Sequence, residues 1–436
     1  MKLISHLLLL FFFLINIQAW ANVPIFYAKQ YGLKADGKTD NYKAFVKLVD
    51  AVNKRKGGTI VFEKGTYIIN EFKNGNNNVQ DLIYKDCNNL TIQGNSATIK
   101  LNNIFTKSID RTKKNFNYSN KGSIVPFSFV NISGLKINAL TVDGGNNNAS
   151  KVKGLAEQAE HLFSFSNCTN VTVNNVIAQN ALCDGFYVKN NNKNFVFSNA
   201  KALNNARQGL SIISLRQGEF RNCEFSQSGR SSYGHHAPAA GLDIEPNIKD
   251  AVKNITFTGC RFYNNMNAQI IITRPEFTEN IIIQNSTIDA ADSKYNYQLI
   301  LSANNIQILN NKINLNTGNI YPFWGKFVNS KTFIRGNEIR SSGRGLVATG
   351  LTNIEATIES NQFIFTGSNL TSYFPYIQAP VIFKNNSILI PEAAKRDGLV
   401  SLIQNAIESS GNKFITESGK SFKSKVSYSK TKKVND

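Results

Sequence analysis

The sequence predicts an all-β fold, a right-handed parallel β-helix solenoid with an N-terminal capping helix. A repeat, an alternation and a turn chemistry predict it. The repeat is a short unit, apolar-x-(Asn/Gly/Ser)-x-x-apolar. It recurs at Phe197-Ser198-Asn199, Phe220-Arg221-Asn222, Phe257-Thr258-Gly259, Ile283-Gln284-Asn285, Ile308-Leu309-Asn310, Ile334-Arg335-Gly336, Ile358-Glu359-Ser360 and Phe383-Lys384-Asn385. Successive starts lie 23, 37, 26, 25, 26, 24 and 25 residues apart, a length that suits one coil of three short strands and their turns. Within a coil, apolar and polar residues alternate, the period of strands with one face buried. The Asn, Gly or Ser closing each unit suits a left-handed corner, and stacked Asn side chains can bond along the coil. A leucine-rich horseshoe would need helical segments and a Leu ladder, which the repeat lacks.

The elements follow in chain order. Lys2, the apolar run Leu7 to Ile15 and Ala19-Trp20-Ala21 make a charged, an apolar and a small-x-small region, the pattern of a secretory leader over residues 1–21. The run is too short for a bilayer span and no second one follows, so no membrane span is expected. The solenoid is expected over residues 22–416, headed by an amphipathic stretch from Tyr42 to Asn53. Asp36 and Asp40, just before it, are read as turn and helix-cap residues. Residues 417–436, with Lys420, Lys423, Lys425, Lys430, Lys432 and Lys433, are expected to be a solvated basic tail.

Of the 436 residues, 42% are hydrophobic, enough to bury a core, and 49 Lys and Arg against 29 Asp and Glu give +20. That surplus favours an acidic partner, and with export it points to an acidic polysaccharide, secreted or periplasmic, rather than to nucleic acid. The five cysteines, Cys87, Cys168, Cys183, Cys223 and Cys260, show no metal-knuckle spacing and read as structural. Oligomeric state stays open.

Tyr31-Gly32-Leu33-Lys34-Ala35-Asp36-Gly37-Lys38-Thr39-Asp40, followed by Gly57-Gly58-Thr59-Ile60-Val61-Phe62-Glu63-Lys64-Gly65-Thr66-Tyr67, resembles the opening segment of the pectate-lyase-like (pectin lyase fold) superfamily. With the repeats, the resemblance covers Ile25 to Thr416. It implies the β-helix with a capped N-terminal end. It does not fix the reaction, because the superfamily includes lyases, hydrolases, epimerases and plain binders.

The site is read from three coils aligned on a glycine: Asp184-Gly185-Phe186-Tyr187-Val188-Lys189, Gln208-Gly209-Leu210-Ser211-Ile212-Ile213 and Ala240-Gly241-Leu242-Asp243-Ile244-Glu245, continued by Ala268-Gln269-Ile270-Ile271-Ile272-Thr273-Arg274. Alternation sends Phe186, Leu210, Leu242 and Ile270 inward, and Tyr187, Ser211, Asp243 and Ile271 outward. Lys189, Ile213, Glu245 and Thr273 form the next outward column. Asp243 and Glu245 then share one face, about 7 Å apart. Such a pair can divide acid and base roles or hold Ca²⁺. The long 37-residue step places an insert, Ser226 to Ala239, directly before them, with Tyr233, His235 and His236. Long loops beside a rigid face are where sites form.

Asp243, Glu245, Lys249 and Arg274 resemble the order of calcium-dependent lyases of the chondroitinase B and alginate lyase type. That likeness implies calcium on the two acids, Lys249 as base and Arg274 as acid. Cys183-Asp184-Gly185-Phe186 resembles the Asn-Thr-Asp-Gly strand of polygalacturonases, although Arg207-Gln208-Gly209 replaces their Asp-Asp. The expected catalytic set is Asp243, Glu245, Lys249, Arg274 and Asp184. Tyr187, Lys189, Arg207, Tyr233, His235 and His236 are expected to bind substrate. The expected activity is a lyase acting on a uronate polysaccharide by β-elimination. The alternatives are a glycoside hydrolase using Asp243 and Glu245 with Asp184, and a non-catalytic polysaccharide-binding or adhesin solenoid.

Overall fold

The computed structural model describes residues 23–70, 81–102, 125–146, 161–230, 237–290, 292–293, 297–315, 319–321, 330–343, 345–349, 354–367, 374–378, 380–392, 401–422 and 424–428. The leader and the insert residues Tyr233, His235 and His236 lie outside them. Among the described residues, thirteen strands, from Ile83–Lys85 to Ser424–Tyr428, stack coil upon coil into one parallel sheet. A second sheet of twenty-six strands carries two ladders per coil, as where Thr169–Asn174 and Ile177–Gln179 both pair with Ser133–Asp143. The chain is thus the right-handed parallel β-helix that the repeat predicts.

The predicted register holds residue by residue. Phe186 pairs with Leu210, Leu210 with Leu242 and Leu242 with Ile270, all buried, while Tyr187, Ser211, Asp243 and Ile271 pair on the outward side. The corner residues take the left-handed conformation: φ is 53° at Asn199 and Asn222, 65° at Gly259, 50° at Asn285 and 56° at Asn310. Asn is the side chain that tolerates this region best. Neighbouring Asn amides also bond across coils, as from Asn194 Nδ2 to Asn170 Oδ1 (3.0 Å) and from Asn204 Nδ2 to Asn180 Oδ1 (2.8 Å).

At the N-terminal end, the helix Tyr42–Arg55 buries Tyr42, Phe45, Leu48, Val49 and Val52, a 3.6-period stripe that covers the first coil. Phe45 meets Phe62 and Tyr67 at ring distances of 5.9 and 6.5 Å. Asp36 Oδ1 accepts from the Lys38 and Thr39 amides, and Asp40 Oδ1 accepts from the Tyr42 amide where the helix begins. The helix stops at left-handed Lys56, and the chain squeezes through Gly58, where a Cβ would lie 2.6 Å from Pro24 O and from the Phe26 ring.

The solvated tail drawn from residue 417 needs correction. The turn through Gly419 bonds back to Thr416, and Ser424–Tyr428 pairs in parallel with Ser401–Ala406 as a further strand. Phe422 packs on Phe414 at 5.8 Å, and Val426 packs against the core. One aromatic and one β-branched residue dock a segment whose Lys420 and Lys425 side chains stay exposed. Residues 429–436 lie outside the described set.

Candidate active site

The site is built on the outward face of the thirteen-stranded sheet, where strands Phe163–Ser166, Phe186–Lys189, Leu210–Ile212 and Leu242–Ile244 stack. The glycine preceding each of the last three is a packing requirement. A Cβ on Gly185 would lie 2.8 Å from Asn205 Nδ2, and one on Gly241 would lie 2.6 Å from Asn265 Nδ2. With the turns held that close, the residues before each glycine are pinned above the sheet.

Two of those residues, Asp184 and Gln208, belong to a polar cluster. Asp184 is fully buried and takes two hydrogen bonds from Arg207, Nε to Oδ1 at 2.8 Å and a terminal nitrogen to Oδ2 at 2.6 Å. The Gln208 amide also donates to Asp184 Oδ1, at 3.2 Å. His161 Nδ1 approaches Asp184 Oδ2 to 3.1 Å, without hydrogen-bond alignment, and its ring stacks on Tyr187 at 4.0 Å. Lys189 Nζ sits 5.4 Å from the centre of the other aromatic partner, the Tyr187 ring. Gln208 Nε2 then reaches across one coil and donates to Asp243 Oδ2 at 2.9 Å.

The electrostatics divide two buried carboxyls. Burial alone would raise Asp184, but the Arg207 guanidinium outweighs it and holds the carboxyl well below the usual carboxylate range. Asp243 is also buried, and lacks a cation bonded to it. Burial, then the charge of Glu245, push its carboxyl up to about 7, against a partial pull from Arg207. Burial lowers His161 and drives Tyr187 up to about 12, so both are neutral near pH 7. One acid is locked as an anion, and the other is poised to carry a proton near neutrality.

Among the described residues, four buried polar atoms here have no hydrogen-bond partner: His161 Nδ1, Gln208 Oε1, Ser211 Oγ and Asp243 Oδ1. Leaving a buried group unpaired costs about 1–3 kcal/mol, and four of them converge on one face.

The structure brings together Asp184, Tyr187, Lys189, Arg207, Asp243 and the exposed Glu245. Lys249 and Arg274 lie in turns that follow strands of the same sheet. Lys249 is exposed in the turn Asn247–Asp250, and Arg274 begins the turn after Ile270–Ile272 with φ 56°. Among the described residues, no contact joins either to Asp243 or Glu245. Proline at 246 follows the strand and precedes the turn that carries Lys249. His161 and Gln208 escape the sequence reading, although aligning one more coil, with Phe163 under Phe186, places His161 in the column of Asp184 and Gln208.

Calcium takes six to eight oxygen ligands, and the donors present do not fit it. Among the described residues, no third His, Cys, Asp or Glu joins Asp243 and Glu245 as a ligand cluster, and the guanidinium of Arg207 acts on the same carboxyl. His161, Cys183 and Asp184 each offer an atom within 4.8 Å of the others, but both Asp184 oxygens already serve Arg207.

A family profile described as "Rhamnogalacturonase A/epimerase, pectate lyase-like" matches residues 25–232. That span includes His161, Asp184, Tyr187 and Arg207, and ends before Asp243. No curated protein sequence matches the chain. Among solved structures, the surface adhesin PfbA of Streptococcus pneumoniae is similar over 90% of each chain, with 14% identity and a TM-score of 0.51. The catalytic unit of an α-1,3-glucanase from Streptomyces thermodiastaticus is similar over 94% of this chain and 70% of its own, with 11% identity and a TM-score of 0.50. ORF18 of Geobacillus virus E2 is similar over 84% of this chain, with 14% identity and a TM-score of 0.45, and this chain spans 61% of its length. At these identities the likeness shows the fold.

Proposed function

We propose that this chain, a right-handed parallel β-helix of the pectate-lyase-like type, is an exported enzyme that hydrolyses glycosidic bonds in a polysaccharide. One observation carries the reading: Asp243, buried on the outward face with one oxygen unpartnered, has its carboxyl raised to about 7 beside a second carboxylate, Glu245. A protonated Asp243 gives its proton to the glycosidic oxygen as the bond to the anomeric carbon breaks. Glu245 takes a proton from the water that adds to that carbon, which regenerates the pair after proton exchange with solvent. Asp184 and Arg207 hold Gln208 in place, and Gln208 fixes Asp243. Half-buried Tyr187, backed by the buried His161 ring, offers an aromatic surface to a sugar ring. The α-1,3-glucanase and the pneumococcal adhesin, as named, fit an active or a binding role for this fold. The leader supports delivery to the periplasm or beyond.

β-Elimination on a uronate is the second reading, favoured by Lys189 and Arg207 at the site and by the +20 net charge. It has less support because, among the described residues, no hydrogen bond or ion pair joins the base and acid expected for it, Lys249 and Arg274, to Asp243. Products separate the readings. A panel of neutral and acidic polysaccharides is incubated with the mature protein and followed for reducing ends and for near-UV absorbance, with and without chelator. The hydrolase gives reducing ends without absorbance, unaffected by chelator and lost in Asp243→Asn. Absorbance from unsaturated products would install the lyase, and binding without either product would install the adhesin-like role.

A further inference from the structure

A second surface lies on the twenty-six-stranded sheet, away from the sheet that carries Asp243. A trough of about 730 Å³ runs along the solenoid across the coils of Ser133–Asp143, Thr169–Asn174, Asn192–Ser198, Leu215–Arg221 and Val252–Thr258. Its wall is a row of left-handed amide residues, Asn170, Asn194, Gln217 and Asn254, with φ of 56°, 59°, 66° and 59°. Three of these are each directly preceded by a basic residue: Lys193, Arg216 and Lys253. The register pairs Lys193 with Arg216 and Arg216 with Lys253 on neighbouring coils. Exposed Lys136 lines the same trough.

Parallel strands stack about 4.8 Å apart, so this column sets like charges directly opposite one another, an arrangement that destabilises a sheet. Only one end is relieved, where Lys253 meets Glu279 at 2.7 Å. Among the described residues, neither Lys193, Arg216 nor Lys136 pairs with an acid, and the one acid lining the trough, Glu219, is paired with Arg221 of its own strand. Elsewhere, basic columns are interleaved with acids, as where Arg335 and Lys384 flank Glu359 on successive coils. A repulsive column beside a groove of amide donors and acceptors suits a ligand that brings regularly spaced anions and hydroxyls.

We propose that this trough is a second, non-catalytic binding surface for a linear uronate polysaccharide lying along the solenoid axis. Its carboxylates meet Lys193, Arg216 and Lys136, and its hydroxyls meet the Asn and Gln amides. One coil advances by a distance comparable to one sugar of an extended chain, so successive residues meet equivalent groups. The surface stands whether or not Asp243 is catalytic, and it tethers long chains without touching the bond that is cut.

Affinity electrophoresis of the mature protein tests it, in gels cast with polygalacturonate, alginate, dextran or duplex DNA. The double variant K193A/R216A is compared with K34A/K38A, which removes the same charge from the exposed N-terminal turn. The expected result is retardation by at least one uronate polymer, weaker by about tenfold in Kd for K193A/R216A and by less than twofold for K34A/K38A. K193A/R216A keeps or raises its melting temperature, because the repulsive column is relieved, and keeps its cleavage of short oligosaccharides, a readout independent of the trough. Equal losses in the two double variants would reduce the effect to net charge and overturn the proposal. So would DNA retardation as strong as that by the uronates, or no retardation by either uronate polymer.

Discussion

Two groups of buried polar side chains sit on the same solenoid and are treated in opposite ways. Inside the C-terminal coils, Asn311, Asn337, Asn361 and Asn386 stack in register. Each donates from Nδ2 to a backbone carbonyl, as Asn337 does to Ile308 O at 2.8 Å, and accepts at Oδ1 from the backbone amide of the coil before, as Asn337 does from Asn311 at 2.8 Å. Every amide there is used. On the outward face around Asp243, equally buried groups leave Gln208 Oε1, Ser211 Oγ and Asp243 Oδ1 unpaired among the described residues, and hold a carboxyl where burial and a like charge disfavour its ionised form. Among the described residues, the Asn ladder satisfies its side-chain amides, while the face where chemistry is proposed gathers several open polar atoms that elsewhere occur singly, as at Tyr84 Oη and Thr332 Oγ1. A satisfied network contributes to stability, while an open one is retained at a cost.

Substitutions in the two regions should therefore separate stability from function. The largest loss of stability is expected for Arg207→Met, which strands the fully buried Asp184 as an unpaired anion, at about 3–5 kcal/mol by chemical denaturation. Next comes Asn337→Ala, which unpairs the Asn311 amide and the Ile308 carbonyl, at about 2–4 kcal/mol. Ser211→Ala is the smallest, within about 0.5 kcal/mol or slightly stabilising, because the hydroxyl has no partner to lose. If Ser211→Ala were as destabilising as Asn337→Ala, the contrast between the regions would be broken.

pH sharpens the same contrast. The Asp243 carboxyl rises from the ordinary 3.8 to about 7 on folding, so the folded chain holds the extra proton between those values. The contribution of this residue to stability therefore falls as pH rises through that window, by up to about 1.4 kcal/mol per unit. Wild type should lose ground to Asp243→Asn from pH 4 to pH 7, as read by melting temperature. No such divergence is expected for Asn337→Ala, whose side chain does not titrate.

Much of this was legible in the sequence because a parallel coil repeats its register. Phe186, Leu210, Leu242 and Ile270 could be aligned by their glycines, and that alignment alone set Tyr187, Ser211 and Asp243 outward. Outward did not mean exposed, however. Asp243 is 4% exposed, because the turn residues Arg207 and Gln208 fold over the strands, and turns carry no periodicity. The same gap hid His161, which precedes its strand. Calcium was suggested by two acids on one strand, but coordination number is a property of the surroundings, and those hold a guanidinium. The order of residues 417–428 was missed because two apolar side chains leave no repeat to detect.

The most direct test measures stability and cleavage together in Asp243→Asn at pH 7, on whichever polysaccharide wild type cuts. A group kept for chemistry should cost stability and supply rate. The melting temperature should equal or exceed that of wild type, while cleavage falls by about 10²–10⁴-fold. A lower melting temperature with cleavage intact would make Asp243 a structural residue and contradict the account.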